Sequence, residues 1–166
     1  MKKNQSLDIL FEDLNHPNPN INYSAAVKMN KHWPKESMKR LINNLANPDV
    51  NIRRKSVKAL GVFGESALLP ISQLFCTSKD LIIKISCLKI LVVLASNIKM
   101  ETYPAEIIDV IQLALNDDCP EISLAIISFL RQSGELGIPF LKITCRDIDV
   151  LKSRASVTAI SEIKEP

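Results

Sequence analysis

The residue types in this chain that could carry out chemistry are few and far apart. Its 166 residues include four cysteines, Cys76, Cys87, Cys119 and Cys145, which could act as nucleophiles or metal ligands. They form no Cys-x-x-Cys pair and no histidine cluster accompanies them, so their spacing predicts no metal site. Isolated thiols of this kind are typical of reduced cysteines in the core of a cytoplasmic protein.

The two histidines and the paired arginines also lack the partners that catalysis requires. His16 lies in a proline-flanked turn and His32 precedes Trp33, with no serine, cysteine or carboxylate at a spacing typical of a catalytic motif. Arg53 and Arg54 belong to the stretch NPDVNIRRKSVKALGVFGE, which opens on a turn and closes on Gly-x-x-Gly. We therefore predict no catalytic residues, and the arginines must be understood from the helix that positions them.

The composition predicts one soluble helical domain. Hydrophobic residues make up 46% and charged residues 23% of the chain, while four glycines and 5% aromatic residues argue against a β-rich fold. Acidic residues interrupt the N-terminal segment, which therefore does not resemble a signal peptide. The longest apolar run, 81–96, contains Lys84 and Lys89 and is too short to span a bilayer, so we expect a cytoplasmic protein without a membrane span.

Helical periodicity recurs along the chain at a fixed interval. An apolar pattern at i, i+3, i+4 and i+7 occurs twice, 31 residues apart, in Leu7, Leu10, Phe11 and Leu14 and in Met38, Leu41, Ile42 and Leu45. Turns rich in Asn, Asp and Pro follow these helices and can cap the next helix. A pair of helices joined by such a turn is therefore the repeating unit.

The second helix of each pair, here termed the B helix, aligns on one anchor position. That position is occupied by Ile21, Ile52, Ile83, Ile122 and Leu151. A loop extension at 95–106 accounts for a longer interval between the third and fourth units. Gly61 is predicted to allow close approach of helices and Gly64 to end a helix. The predicted units are approximately 5–33, 34–64, 65–97, 104–134 and 135–164 of a single domain.

The pattern N-P-D-x-x-I-R-R-x-[SA]-V-x-A-L-G, with its spacing of 31 residues, resembles HEAT-like repeats, specifically those of phycobilisome lyase subunits. The likeness is carried by residues 14–20, 53–65, 85–91 and 113–135. It implies an all-α fold, a right-handed α-solenoid of about five repeats. One departure from the pattern is Ser123, which stands in the fourth unit where the second has Arg53.

The resemblance also implies a function in pigment attachment. Members of the group help to attach phycoerythrobilin to phycoerythrin, so the expected partners are a phycobiliprotein subunit and a bilin lyase. An accessory, chaperone-like role with phycoerythrobilin as a transient ligand and no permanent cofactor is favoured over a lyase subunit that forms the carbon–sulfur bond. A thioether to Cys87 or Cys119 is the alternative that would make the chain a lyase.

A solvent-facing stripe of the B helices is the predicted binding surface. Arg54, Lys58 and Val62 point away from the apolar side of the second unit. The repeat places Tyr23, Val27, Lys31, Ile85, Lys89, Val93, Leu124, Ser128 and Gln132 at equivalent positions. From this stripe and its neighbourhood we predict the binding residues Tyr23, Lys31, Trp33, Arg54, Lys58, Ile85, Lys89, Leu124 and Ser128. The alternative is that the aliphatic members pack against neighbouring units.

Positive charge is concentrated between residues 28 and 58. Nine basic residues lie there against Glu36 and Asp49, although the chain as a whole carries a net charge of only +3. Such asymmetry favours an anionic partner, while a solvated helix face is the simpler explanation. Arg53 is predicted to pair with Asp49, four residues before it.

Two other functions remain open on the residues alone. A helical repeat protein can be a general interaction scaffold without a pigment role. It can also bind nucleic acid through its basic block, although the scarcity of aromatic residues for base stacking argues against a nucleic acid partner.

Overall fold

The computed structural model of the chain describes residues 6–164, and within this range all of its regular secondary structure is helical. Ten α-helices form five pairs, and each pair lies within one predicted unit, although residue 5 falls outside the described range. The first helices of the pairs, the A helices, are α1 (Leu7–Leu14), α3 (Pro34–Asn43), α5 (Leu68–Thr77), α7 (Ala105–Leu115) and α9 (Ile138–Thr144). The B helices are α2 (Pro19–His32), α4 (Val50–Gly61), α6 (Leu81–Asn97), α8 (Pro120–Gln132) and α10 (Val150–Lys164). Short 3-10 helices span Asn44–Ala46, Gly64–Ala67 and Gly134–Gly137. The predicted all-α fold is confirmed.

The B helices pack side by side in the order α2, α4, α6, α8 and α10, and each A helix packs against the B helix of its own pair. Their buried aliphatic side chains form one continuous core cluster. This serial packing suits a repeat architecture, in which a unit buries its apolar side against its neighbours. The right-handed sense of a superhelix stays a prediction.

The same hydrogen-bonded turn precedes every B helix. The N-cap residues are Asn18, Asp49, Asp80, Cys119 and Asp149. The side chain two residues before each cap accepts a hydrogen bond from the N–H of the cap residue, at 2.9 to 3.1 Å. The accepting residues are His16, Asn47, Ser78, Asp117 and Asp147. Except at Cys119, the side chain of the cap residue in turn accepts an N–H from the first turn of the helix. The turn therefore fixes where each B helix begins.

This cap corrects the predicted alignment of the fifth unit. The third residue after the cap is an isoleucine in the first four units, but it is Lys152 in the fifth, and not Leu151 as predicted. Lys152 is 8% exposed, whereas Leu151 is 48% exposed. The buried lysine is accommodated because its Nζ donates to the carbonyl oxygen of Leu115 at 2.9 Å and lies 3.6 Å from a carboxylate oxygen of Asp147.

The predicted pairing of Arg53 with Asp49 is wrong. The Asp49 carboxylate caps its own helix by accepting the N–H of Asn51 at 2.7 Å. The Arg53 guanidinium donates instead to the carbonyl oxygens of Asn47 and Pro48, at 2.6 and 2.9 Å. Arg53 therefore fastens the turn from which its helix begins.

Two glycines have the roles that the sequence predicts. A Cβ atom on Gly61 would lie 2.2 Å from Cγ1 of Val93, so the contact between α4 and α6 requires a residue without a side chain. Gly64 follows the end of α4 and has a φ of +61°, a conformation that other residues rarely adopt.

The predicted loop extension is also present, between α6 and α7 at residues 98–104. Tyr103 anchors it, with its ring centroid 5.8 Å from those of both Phe129 and Phe140. The extra residues of the long interval are thus packed onto the fourth and fifth units.

Replacement of Leu60 by Asp tests the predicted helix faces. Leu60 is fully buried in α4, so an unpaired carboxylate there should destabilise the fold by roughly 2–7 kcal/mol. The matched control Leu69→Asp alters an exposed leucine of α5 and should change stability by no more than about 0.5 kcal/mol. Urea unfolding followed by circular dichroism measures both. Equal stability of the two variants would contradict the assigned core.

Candidate interaction surface

The solvent-facing surface of the B helices is built from rows of equivalent residues. Positions five, nine and thirteen residues after each cap lie on one line of the helix, because they are separated by about one helical turn each. We define the B-helix face as these positions in α2, α4, α6 and α8, the twelve residues that the sequence analysis placed there. Since the caps are equivalent and the helices adjacent, the rows run across the four units.

Most predicted binding residues on this face are exposed. Tyr23 is 65% and Leu124 39% exposed, and the side chains of the basic members, Lys31, Arg54, Lys58 and Lys89, also reach solvent. The aliphatic members of the face differ in their exposure to solvent. Val27 and Leu124 are exposed, whereas Val62 and Ile85 are half-buried against the core, as the packing alternative expected. Val93 is half-buried as well and lies against Gly61 of the neighbouring α4.

Two predicted binding residues have strong local contacts. Trp33 lies at the junction of α2 and α3, half-buried against the core, with its ring 5.6 Å from that of His32. This position fits a side chain that fills the junction between the first two units better than one that belongs to the B-helix face. The half-buried Ser128 donates its hydroxyl to the carbonyl oxygen of Leu124 at 2.9 Å.

The sequence analysis missed a further row of the face, two residues after each cap. In the third and fifth units this position is occupied by the exposed aliphatic side chains of Ile82, which is 50% exposed, and Leu151, whereas the other units have the exposed polar residues Asn20, Asn51 and Glu121 there. Leu81 beside them is exposed as well. One signal could have revealed the row: α6 begins with Leu-Ile-Ile, and only Ile83 of these three packs against the core.

The basic residues between 28 and 58 do not form one surface. On α3, Arg40 pairs with Asp8 at 2.8 Å and stacks over Phe11, while Lys35 and Lys39 are exposed on the same helix. At the turn, Lys55 donates to the carbonyl oxygen of Asn15 at 2.6 Å. Three of the basic residues, Lys31, Arg54 and Lys58, are exposed on the B-helix face.

The four cysteines are free thiols in different environments. Cys87 is buried, and its burial raises its pKa to about 12. Cys76 is exposed, so the expectation of a core thiol is wrong there: it lies next to the last residue of α5, on the outer side of the helix end. Cys119 and Cys145 are half-buried, and the Cys119 thiol donates to a carboxylate oxygen of Glu121 at 3.0 Å.

Neither a metal centre nor a membrane-spanning helix is found in the part of the chain that the structure describes. Residues 6–164 bring no three His, Cys, Asp or Glu side chains together in a way that could hold a metal ion. No helix in this range has the length and apolar character needed to cross a membrane.

The fold and this surface define an all-α protein of serially packed helix pairs with a mixed cationic and apolar face. No protein-family model matches the chain. It is similar to the bilin biosynthesis protein CpeZ of Synechococcus sp. (strain WH8020), with 31% identity over 145 residues that cover 84% of this chain and 78% of that protein. It is also similar to the uncharacterized phycocyanin operon protein Z of Pseudanabaena tenuis (strain PCC 7409), with 24% identity covering 93% and 75% of the two chains. The chain therefore belongs to the CpeZ family of bilin biosynthesis proteins, as the resemblance to phycobilisome lyase subunits indicated.

Thiol labelling tests the different cysteine environments. In the native protein, iodoacetamide should modify Cys76 before Cys87, because only a thiolate that solvent reaches can react; burial and the Asp109 carboxylate raise the pKa of Cys76, but its side chain is exposed. Cys87 should react only after unfolding, since at pH 8.5 a thiol with a pKa of about 12 is almost fully protonated. Mass spectrometry of peptides gives the order, with Cys76→Ser as the control for assignment. Rapid native labelling of Cys87 would contradict its burial.

Proposed function

We propose that this chain is an accessory, chaperone-like subunit that assists the attachment of phycoerythrobilin to phycoerythrin. It binds the acceptor subunit, the bilin or the lyase on the B-helix face, and a separate lyase catalyses formation of the thioether. The observation that carries this proposal is the group of solvent-exposed cations on that face, Lys31, Arg54, Lys58 and Lys89, beside exposed aliphatic side chains, in a chain of the CpeZ family. The name of the Synechococcus relative supports the connection with bilins.

The chemistry of the face suits partners of this kind. Arg54, Lys58 and Lys89 can bind carboxylates, whether these are the propionates of a bilin or the acidic side chains of a protein. The neighbouring Tyr23, Val27 and Leu124 offer apolar contact to rings or aliphatic side chains. A phosphate-tracking surface would gather the basic residues along one groove, whereas here they are divided between α3 and the B helices, and Lys55 of α4 is held by the carbonyl oxygen of Asn15.

The thiols favour an assisting role over a lyase. A covalent relay needs an accessible thiolate, yet Cys87 is buried with a raised pKa and the Cys119 thiol is hydrogen-bonded to Glu121. These two are the cysteines that the sequence analysis considered for a relay, and the exposed Cys76 is also disfavoured because burial and the Asp109 carboxylate raise its pKa. We therefore assign the bond-forming thiol to the acceptor subunit.

Co-expression tests the proposal directly. The chain is expressed with phycoerythrin subunits, a bilin-synthesis system and candidate lyases, and attached pigment is read by zinc-enhanced fluorescence. We expect more attached pigment with the chain than without it. No increase with any lyase would favour a general interaction scaffold without a pigment role.

Charge reversal on the B-helix face should remove the assistance. The triple variant Arg54→Glu, Lys58→Glu and Lys89→Glu should keep its helicity, because these side chains are exposed, and should lose most of the increase in attached pigment. The matched control replaces Lys35, Lys39 and Lys142, three exposed lysines of the A helices, by Glu. The control imposes the same change in net charge, so equal loss in both variants would show that only net charge matters.

Replacement of the cysteines tests the assignment of the bond-forming step. Single changes of Cys76, Cys87, Cys119 and Cys145 to Ala or Ser should leave most of the assisted pigment attachment intact. The buried Cys87 should lose the most stability, about 1–2 kcal/mol, because its change to Ala leaves a small cavity. A cysteine variant that stays folded but attaches no pigment would make a covalent bilin relay through that thiol the better explanation.

A further inference from the structure

Charge on the B-helix side of the molecule is divided unequally along the series of units. The helices α2, α4 and α6, which the structure describes in full, contain no aspartate or glutamate. With their flanking turns, residues 15–32, 47–65 and 78–97, they carry nine lysines and arginines against three carboxylates. The corresponding segments of the fourth and fifth units, 117–134 and 147–164, carry four lysines and arginines against six carboxylates. The first three units are therefore cationic on this side, and the last two are mildly acidic.

The three carboxylates of the cationic segments lie at the ends of the helices, away from the middle of the face. Asp49 and Asp80 are the N-caps of α4 and α6, and each accepts an N–H of its own helix. Glu65 lies in the 3-10 helix that follows α4. Lys58 and Lys89 lie nine residues after the two caps. This separation is roughly 13 Å along the helix axis, further than the Debye length of about 8 Å at physiological ionic strength, so the cap carboxylates do not neutralise the middle of the face.

Several exposed cations of these three helices are available to a partner. Among the described residues, four cations of the B-helix face take part in no ion pair, namely Lys31, Arg54, Lys58 and Lys89. Exposed Tyr23 and Val27 lie on the same face. Packed helices lie about 8–10 Å apart, so these cations extend over about 16–20 Å from α2 to α6. A partner that meets all of them must therefore present anionic groups over a similar distance.

We propose that the first three units of the B-helix face dock a carboxylate-rich surface of the acceptor subunit. The identity of this partner rests on the proposed function. Complementary charge across an interface speeds association and fixes how the partners are placed. Because the excess of cations ends at α6, the acidic part of the acceptor lies over α2, α4 and α6, and not over the fourth and fifth units.

The extent and the limits of the cationic surface favour a protein over a small ligand or a nucleic acid. A small ligand binds in a concave cleft. A cleft of about 640 Å³ is lined by residues 95–101 and 132–136, but it holds the carboxylates of Glu101 and Glu135 against Lys99 and does not suit an anion. A nucleic acid needs a basic surface that continues along its phosphates, whereas here the charge changes sign after α6.

Salt-dependent binding without pigment tests this docking surface. The probes are the separately purified apo α- and β-subunits of phycoerythrin, titrated calorimetrically with the chain at low and high salt. The variant Lys58→Glu with Lys89→Glu should weaken binding at low salt by at least about tenfold and should lose most of the salt dependence, at unchanged helicity. The matched control Arg154→Glu with Lys164→Glu alters two exposed cations of α10 by the same net charge and should stay within about threefold.

The outcomes separate this docking surface from the proposed function. Equal weakening by the variant and the control overturns the docking surface, because only net charge would then matter. Absence of binding to either apo subunit also overturns it, even if the chain promotes pigment attachment in co-expression. Binding of duplex DNA or of phycoerythrobilin through Lys58 and Lys89, with none of an apo subunit, overturns it in favour of that ligand. Selective weakening by the variant supports the docking surface, even if the chain fails to promote pigment attachment and the proposed function falls.

Discussion

The capped turn before each B helix is the constraint on which the rest of this structure depends. The cap fixes the first residue of the helix, and the helical period then fixes the face on which every later side chain lies. A shift of one residue would turn the helix by about 100° and exchange core and surface positions. Leu151 and Lys152 illustrate the rule, because the cap at Asp149 exposes the leucine and buries the lysine. Since five turns are built alike, equivalent side chains line up in rows across the units.

Lysine side chains connect neighbouring units through hydrogen bonds, which keeps the rows aligned. Lys55 reaches back to the first turn and Lys152 to the fourth, each by donating to a carbonyl oxygen. Lys84 reaches forward to the carboxylate of Asp117 at 2.7 Å, and this hydrogen bond is the main reason that the pKa of Asp117 is lowered. Asp117 also accepts the N–H of Cys119, so one carboxylate holds its own turn and the preceding unit. Because its pKa is lowered in the folded state, this contribution to stability is lost as the pH falls through that pKa.

The sequence sufficed for those parts of the fold that follow from periodicity. Apolar spacing and turn composition predicted the helix pairs, the packing glycine Gly61 and the loop extension, because each depends on residues close together in the chain. The partner of Arg53 could not be predicted this way. The Arg53 guanidinium lies close in sequence to the Asp49 carboxylate and to several carbonyl groups. Because the Asp49 carboxylate caps the helix by accepting the N–H of Asn51, the guanidinium donates to a carbonyl oxygen instead. The exposure of Cys76 likewise depends on which side of α5 is left uncovered by other helices.

The sequence predicted the positions of the rows on the B-helix face, but it did not predict how many rows the face includes. Its rows follow from the cap and the helical period, but the row containing Ile82 was missed because apolar residues at a helix start suggest core. Leu151 was misassigned in the fifth unit for a different reason, since the interval from the cap Cys119 to the cap Asp149 is one residue longer than the alignment of Ile122 with Leu151 assumed.

A comparison of two rows shows why function is better sought in the face than in the turn. The position of Arg53 is occupied by Asn22, Ser123 and Ser153 in three other units, and each donates to a carbonyl of its own turn, so different side chains perform one structural task there. In the third unit the position is occupied by Lys84, which pairs with Asp117 of the next turn instead. The row one residue later contains Tyr23, Arg54, Ile85, Leu124 and Arg154. Ile85 is half-buried against the core, but the other four side chains are exposed and share no common contact, so packing does not dictate their chemistry. Their order, cationic on α4, apolar on α6 and α8 and cationic again on α10, is therefore available to specify both the composition and the placement of a partner that crosses several units.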